Sequence, residues 1–239
     1  MILAAQQPNY IPWIGYFNKI FLCDVFVVLD EVKFVKDSVI QRNKIKNSQS
    51  QELRLTIPVL KGNTKIKEIC IDNRQNWRRK HWKSIFYSYS KCKNWGFIGY
   101  DLEEIYKRDW NNLCDLNMEI IKLILEKLNI RTKIIFESEI KGDLGFKNER
   151  LINLCKSFNA DTYLSGIGAK AYNDEDMYNK ENIKLAYQDF TPPIYIQKHN
   201  NFIPNLSIID LLFNEGRNSI DIVKKSGEIK YTTQVDELS

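Results

Sequence analysis

Two histidines, a tandem amide pair and a few well-placed acids set the chemical options of this 239-residue chain. Proton transfer near neutral pH most often uses histidine, and the histidines here are His81 and His199. His81 lies among Arg78, Arg79, Lys80 and Lys83. Neighbouring cations favour the neutral imidazole, which is the form a base needs. On a helix His81 shares a face with Trp77 and Ile85, so a packed histidine fits equally well. His199 lies in a polar run, Gln197-Lys198-His199-Asn200-Asn201. Gln6 and Gln7 each offer a donor and an acceptor, suited to a sugar hydroxyl, a nucleobase edge or an acyl carbonyl, or to tying down the loop that follows. Tyr10 and Trp13 supply aromatic surface in that loop, and Gly15 allows a close backbone approach to a phosphate at a helix start. Asp30 ends an apolar run, where a carboxylate commonly holds a ribose. Ser165, Gly166 and Gly168 form a second small-residue turn whose backbone donors suit an anion. Tyr172, Gln188, Tyr195 and Gln197 form a later polar and aromatic set placed to line the same pocket.

These groups need elements to bring them together. Ile2-Leu3-Ala4-Ala5 and Val25-Phe26-Val27-Val28-Leu29 are apolar runs that do not alternate, the pattern of parallel strands covered on both faces. Between them, Pro8 and Pro12 fix a loop and remove two donors before an apolar-periodic helix that ends near Cys23. The amides thus fall just past the carboxyl end of a strand, where ligands bind in open α/β sheets. Leu53 to Val59 alternates as a half-buried strand, with Glu68 to Asp72 as its expected partner. Residues 78–89, 102–107 and 113–128 carry helical periodicity, and Asn148 is placed to cap a helix that follows. Strands are expected at 133–138, 162–165, 183–187 and 194–197, with the residues beyond about Gly227 loosely held. Ser207 and Asp210 have capping-box spacing, which favours a structural Asp210. The expected fold is α/β: a Rossmann-like three-layer sandwich with a mostly parallel sheet and an inserted antiparallel and helical lobe. It forms one domain over 1–239, with a basic insertion at about 32–110.

Composition narrows the class. The five cysteines are scattered without a C-x-x-C pair, which suits free thiols in a reducing, cytoplasmic setting. No apolar run approaches the roughly 20 residues of a membrane span, and the polar Gln6-Gln7-Pro8 cuts off any secretory leader. Residues 1–100 hold 17 Lys and Arg against 7 Asp and Glu, a net +10, whereas residues 101–239 hold 18 against 23, a net −5. A basic half favours an anionic partner such as a pyrophosphate, coenzyme A or RNA; a solvated basic face is the alternative. Zinc spacing, a Walker A loop and a serine-hydrolase elbow are all missing from the sequence, so no metal is expected.

The run Gln7-Pro8-x-Tyr10-x-Pro12-Trp13-x-Gly15-Tyr16-Phe17 resembles the opening of the WbqC-like family, in which His often stands where this chain has Gln6. Similar blocks follow in order: Arg42-Asn43-Lys44-Ile45, Trp77 to Trp82, Asp161 to Ala169, and Leu206 to Asn214. That resemblance implies a role in O-antigen or other surface polysaccharide (lipopolysaccharide) assembly, with acyl or aminoacyl (glycine) transfer onto an amino sugar. The implied partners are a nucleotide-linked or lipid-linked sugar and an acyl donor, either a coenzyme A thioester or an aminoacyl-tRNA. No cofactor is bound on this reading, and nucleic acid enters only as that tRNA. His81 and Asp30 are then the expected catalytic pair, with oxyanion donors near Gly166–Gly168. Gln6, Gln7, Tyr10, Trp13, Gly15, Arg42, Asn43 and Lys80 are expected to bind substrate. The same opening is similar to that of nucleotidylyltransferases and pantothenate synthetases. Those carry Gly-His where this chain has Gly15-Tyr16, and they imply adenylyl transfer as the alternative. A non-catalytic sugar-nucleotide scaffold is the third reading.

Overall fold

A computed structural model describes residues 1–232. Along the chain run β1 (Ile2–Gln6), α1 (Ile14–Phe21), β2 (Val25–Val28), β3 (Arg42–Lys46), β4 (Glu52–Thr56), α2 (Trp77–Tyr89), α3 (Trp95–Lys107) and α4 (Leu113–Lys127). Then come β5 (Lys133–Phe136), α5 (Lys147–Ser157), β6 (Thr162–Gly166), α6 (Glu175–Lys180), β7 (Lys184–Phe190), α7 (Ile208–Glu215), α8 (Ser219–Lys225) and β8 (Gly227–Tyr231). Six strands form one sheet in the order β5-β2-β1-β6-β7-β8. The pairs from β5 to β7 are parallel, and β8 lies antiparallel on β7. The chain moves outward from β1 through β2 to β5, then crosses back to β6 and β7 on the other side. This is the doubly wound, Rossmann-like order, and its switch point lies between β1 and β6.

The sheet is covered on both faces, which is why its strands do not alternate in polarity. Leu3, Ala5, Val25 and Val27 pack with Ile152, Leu154 and Cys155 of α5 and Tyr178 of α6. Their neighbours Ala4, Phe26 and Val28 point the other way, into a larger core with α1, α4 and α7. Asn112 starts α4 by accepting from the amides of Cys114 at 2.7 Å and Asp115 at 3.2 Å. All five cysteines are free thiols. Burial pushes Cys23, Cys114 and Cys155 up to about 12, so they are small core residues at neutral pH.

Several expectations need correction. β4 pairs with β3 rather than with residues 68–72, which follow a 3-10 turn, Ile66–Glu68, and make two isolated bridges, Ile71 to Val59 and Cys70 to Asn112. Residues 194–197 form no strand, because Pro192 and Pro193 remove two donors and Ile194 and Ile196 stand exposed. Gly227–Tyr231 is the edge strand β8, whereas the remaining expectation of a loose terminus falls on 233–239, outside the described residues. Asn148 does not cap α5; its amide donates to the Tyr172 carbonyl at 3.0 Å. Ser207 is the N-cap of α7, but Asp210 faces inward and accepts from the Tyr89 and Tyr195 hydroxyls, each at 2.8 Å.

Gly15 also acquires a different reason for being glycine. A Cβ there would sit 2.5 Å from Cζ3 and 2.9 Å from Cζ2 of Trp13. The indole is held in turn by an edge contact with Phe190, centroids 4.8 Å apart. The space beside Gly15 is therefore filled by Trp13, not left for a phosphate. Gly15→Ala is expected to destabilise the fold by about 1–3 kcal/mol through overpacking. Trp13→Ala in the same chain should recover part of that loss, read from urea unfolding midpoints.

Candidate functional site

The parallel strands end in register. Gln6 pairs with Val28, Val28 with Phe136, and Gly166 with Gln188. The residues that leave the sheet at this edge are Gln7, Leu29 and Asp30, Glu137 and Ser138, and Ile167 and Gly168. A doubly wound sheet binds its ligands here, at the switch point. Gln6 and Gln7 are half-buried, and their side-chain amides bond to no described residue. A Cβ on Gly166 or Gly168 would meet nothing within 4 Å, so the space above the end of β6 is open. Ser165 is buried beneath it and accepts from Asn173 Nδ2 at 2.9 Å; Asn173 also reaches the Tyr187 hydroxyl at 3.1 Å.

The segment between the amides and α1 is buried backbone, and buried carbonyls need donors. The Pro8 carbonyl accepts from Asn117 Nδ2 at 2.9 Å, and the same amide reaches Ile40 at 2.7 Å. Asn43 Nδ2 donates to the carbonyls of Ile11 at 2.8 Å and Tyr10 at 3.4 Å. The Ile208 amide donates to Pro12 at 2.8 Å. Ile11 has φ +35°, a conformation a β-branched residue rarely adopts, which these bonds hold in place. Tyr10 is fully buried, its hydroxyl bonded to His81 Nδ1 at 2.8 Å and to the Tyr106 hydroxyl.

The expected site residues thus divide. Gln6, Gln7, Ser165, Gly166, Gly168 and Asp30 gather at the open edge. Tyr10, Trp13, Gly15, Asn43, His81 and Gln188 belong to the buried framework behind it. Gln188 Nε2 donates to the Gly15 carbonyl at 2.9 Å and to Asn18 Oδ1 at 2.6 Å, joining β7 to α1. Arg42 pairs with Asp37 at 3.3 Å, and Lys80 is exposed on α2. Tyr172 is 81% exposed beyond the edge. Gln197 holds a surface loop instead, bonding Ile203 and the buried Lys46.

His81 is neutral, as expected, but for another reason. Burial, not the neighbouring cations, pushes it down to about 4, opposed by the Thr56 carbonyl. With Nδ1 facing Tyr10 and the ring packed edge-on against Trp77, it braces the loop from below.

Two acids stand where the sheet opens. Asp30 is buried and accepts from the Ser138 amide at 3.0 Å and the Ser138 hydroxyl at 2.6 Å, so it ties the ends of β2 and β5 together. Glu137, Ser138 and Arg150 were not anticipated. Glu137 Oε1 pairs with Arg150 at 2.8 Å. They line a cleft of about 460 Å³ with Glu31, Lys65, Asp143 and Phe146. The cue was available: Glu137 follows a parallel strand directly, as Gln7 does. Among the described residues no group of three or more His, Cys, Asp or Glu is placed to hold a metal ion.

The profile of the WbqC-like protein family matches residues 7–222. The chain belongs to the WbqC-like protein family. That span runs from Gln7 to the last turn of α8, so it takes in both the loop framework and the open edge. The chain is also similar to the uncharacterized protein Rv1507c of Mycobacterium tuberculosis, 35% identical over 227 residues that cover 93% of this chain and 97% of that protein. No solved structure matches it significantly. No helix of the described residues is long and apolar enough to cross a membrane.

A buried imidazole with a depressed folded value costs stability in acid, because below pH 6.5 the unfolded chain takes up a proton that the folded one refuses until about pH 4. At about 1.4 kcal/mol per unit, some 3 kcal/mol should be lost across that window. His81→Gln is expected to flatten this part of the stability curve, measured by urea unfolding at pH 7.0 and 4.5.

Proposed function

We propose that this chain is a transferase of surface polysaccharide assembly that moves an acyl or aminoacyl group onto the amine of a nucleotide-linked sugar. The observation that carries this reading is the pair of unbonded, half-buried amides, Gln6 and Gln7, at the switch point of a doubly wound sheet. Neutral amides with both donor and acceptor recognise hydroxyl-rich ligands and carbonyls. The open backbone past Ser165 gives room for a phosphate or a developing oxyanion beside them. The acyl donor is a coenzyme A thioester or an aminoacyl-tRNA, and five free thiols suit the cytoplasm where such donors are made.

Adenylyl transfer receives less support. The position that would carry the phosphate-binding histidine is Tyr16, which is fully buried with an unbonded hydroxyl. It faces the core, not the open edge. A scaffold without turnover makes the same binding prediction and is separated from the transferase by product formation.

Calorimetric titration with UDP-linked amino sugars should show binding to the wild-type chain, and mass spectrometry after adding acetyl-coenzyme A or glycyl-tRNA should show an acylated sugar. Gln7→Ala should weaken nucleotide-sugar binding about 2- to 10-fold, the share of one neutral hydrogen bond. Binding without product would leave a scaffold, and no binding to any nucleotide-linked sugar would end the proposal.

A further inference from the structure

Glu137 uses its two oxygens unequally. The residue is 3% exposed, and Oε1 is taken by Arg150, while Oε2 has no hydrogen-bond partner among the described residues. A buried carboxylate oxygen without a donor is costly. The neighbouring acids are not left this way: Asp30 takes two donors from Ser138, and Glu31 takes Lys65 and Lys67. An ion pair that merely fastened β5 to α5 would need Oε1 alone. The groups facing Glu137 are Arg150 from α5 and Asp30 and Glu31 from the end of β2, with Lys65 and Asp143 across the cleft. Burial is the main influence raising its carboxyl above the usual range, the charges of Asp30 and Glu31 act the same way, and Arg150 and the Glu31 backbone amide oppose them.

The cleft around it has the size and the mixture of surfaces of a small-ligand site. Its volume is about 460 Å³. Phe146 stands 75% exposed at the wall, with the Arg150 guanidinium 5.8 Å from its ring centre. Ile140 and Leu144 continue the apolar side. An aromatic face beside fixed polar groups suits the C–H face of a sugar ring.

We propose that this cleft is the acceptor subsite and that Glu137 Oε2 binds the ammonium group of the amino sugar and takes one proton from it. The assignment rests on the transferase reading above. The ammonium gives a proton to Glu137 and becomes a neutral amine. The nitrogen lone pair attacks the carbonyl carbon of an acyl thioester, forming the N–C bond. The tetrahedral adduct collapses with loss of thiolate, which takes the second nitrogen proton and leaves as thiol. The proton on Glu137 is released to water, so the products are amide, thiol and one proton.

The test compares UDP-glucosamine with UDP-glucose, which differ in the amine, by calorimetry on the wild-type chain, Glu137→Gln and Gln7→Ala. The wild-type chain should prefer the amino sugar about 10-fold, the effect of a charge-assisted hydrogen bond. Glu137→Gln should erase that preference, while Gln7→Ala weakens both sugars alike. Equal wild-type affinities, or a preference that survives Glu137→Gln, would overturn the Glu137 assignment and leave the nucleotide-sugar reading standing on Gln7→Ala. Wild-type binding to neither sugar overturns both. Should Glu137→Gln fail to fold, the wild-type pH profile decides. The preference must fall as acid protonates Glu137, and a preference that stays constant as the pH is lowered until the chain unfolds overturns the assignment.

Discussion

The loop from Pro8 to Trp13 is buried main chain without regular structure, and a buried carbonyl must find a donor or the fold loses stability. The two prolines remove donors of their own, so the loop cannot satisfy itself. Its carbonyls at Pro8, Tyr10, Ile11 and Pro12 are met from outside, by Asn117 on α4, Asn43 on β3 and the first amide of α7. The remaining handle, the Tyr10 hydroxyl, is held by His81 on α2. With Tyr106 of α3, which also bonds that hydroxyl, elements from five separate stretches of sequence thus converge on six residues. That convergence fixes where β1 releases its chain and hence where Gln6 and Gln7 stand. Residues that appear chemical in the sequence, His81, Asn43 and Trp13 among them, serve this constraint, and the amides at its margin are left unbonded because the framework does not need them.

A second buried polar cluster does the same work at the other end of the framework. Asp210 accepts from Tyr89 and Tyr195, and the ammonium of Lys46 is passed to the carbonyls of His199 and Asn201 and to Gln197. Burial raises the Asp210 carboxyl and lowers the Lys46 ammonium. Taken alone each charge would be expensive, but together with two hydroxyls they anchor the irregular stretch between β7 and α7 onto β3. The long surface segment with Ile194 and Ile196 outward is therefore pinned by its polar side chains rather than by a core of its own.

What the sequence made legible follows from periodicity. The unbroken apolar runs of β1 and β2 announced a sheet covered on both faces, and the helical spacing of α2 and α4 was equally plain. The edge strand β8 was not, because Glu-Ile-Lys-Tyr offers charge on one face and finds its reason only in β7 beside it. The partner of β4 is the nearer segment, β3, which a short turn brings alongside it, whereas Glu68–Asp72 reaches the same stretch only through the Val59 to Ile71 bridge. At the site, position told more than residue type. Lying at or just past the end of a parallel strand places Gln6, Gln7 and Asp30 at the open edge, and Glu137 with them. Local spacing could not reveal that Asn43 and Asn117 spend their amides on carbonyls 32 to 109 residues away. Nor could it show that Trp13 occupies the space Gly15 leaves.

The charge asymmetry takes on a different meaning once its members have places. Arg79, Lys80 and Lys83 lie on the exposed side of α2, on the helical layer rather than at the strand ends. Lys65, which lines the cleft, and Lys67 both pair with Glu31. Arg150 is committed to Glu137. The cations that line the cleft, Lys65 and Arg150, are thus already matched to acids, and a pyrophosphate arriving there would compete with those pairs. On the proposed reading it would lean on neutral donors, the Gln6 and Gln7 amides and the open backbone beyond Ser165, in the manner of phosphate sites built from main-chain amides. An amine meets the opposite situation, because the unpaired oxygen at this edge belongs to a carboxylate. On the proposed reading, the two ends of a nucleotide-linked amino sugar would meet different partners, the anion over β1 and β6 and the cation over β5, with β2 and Asp30 between them.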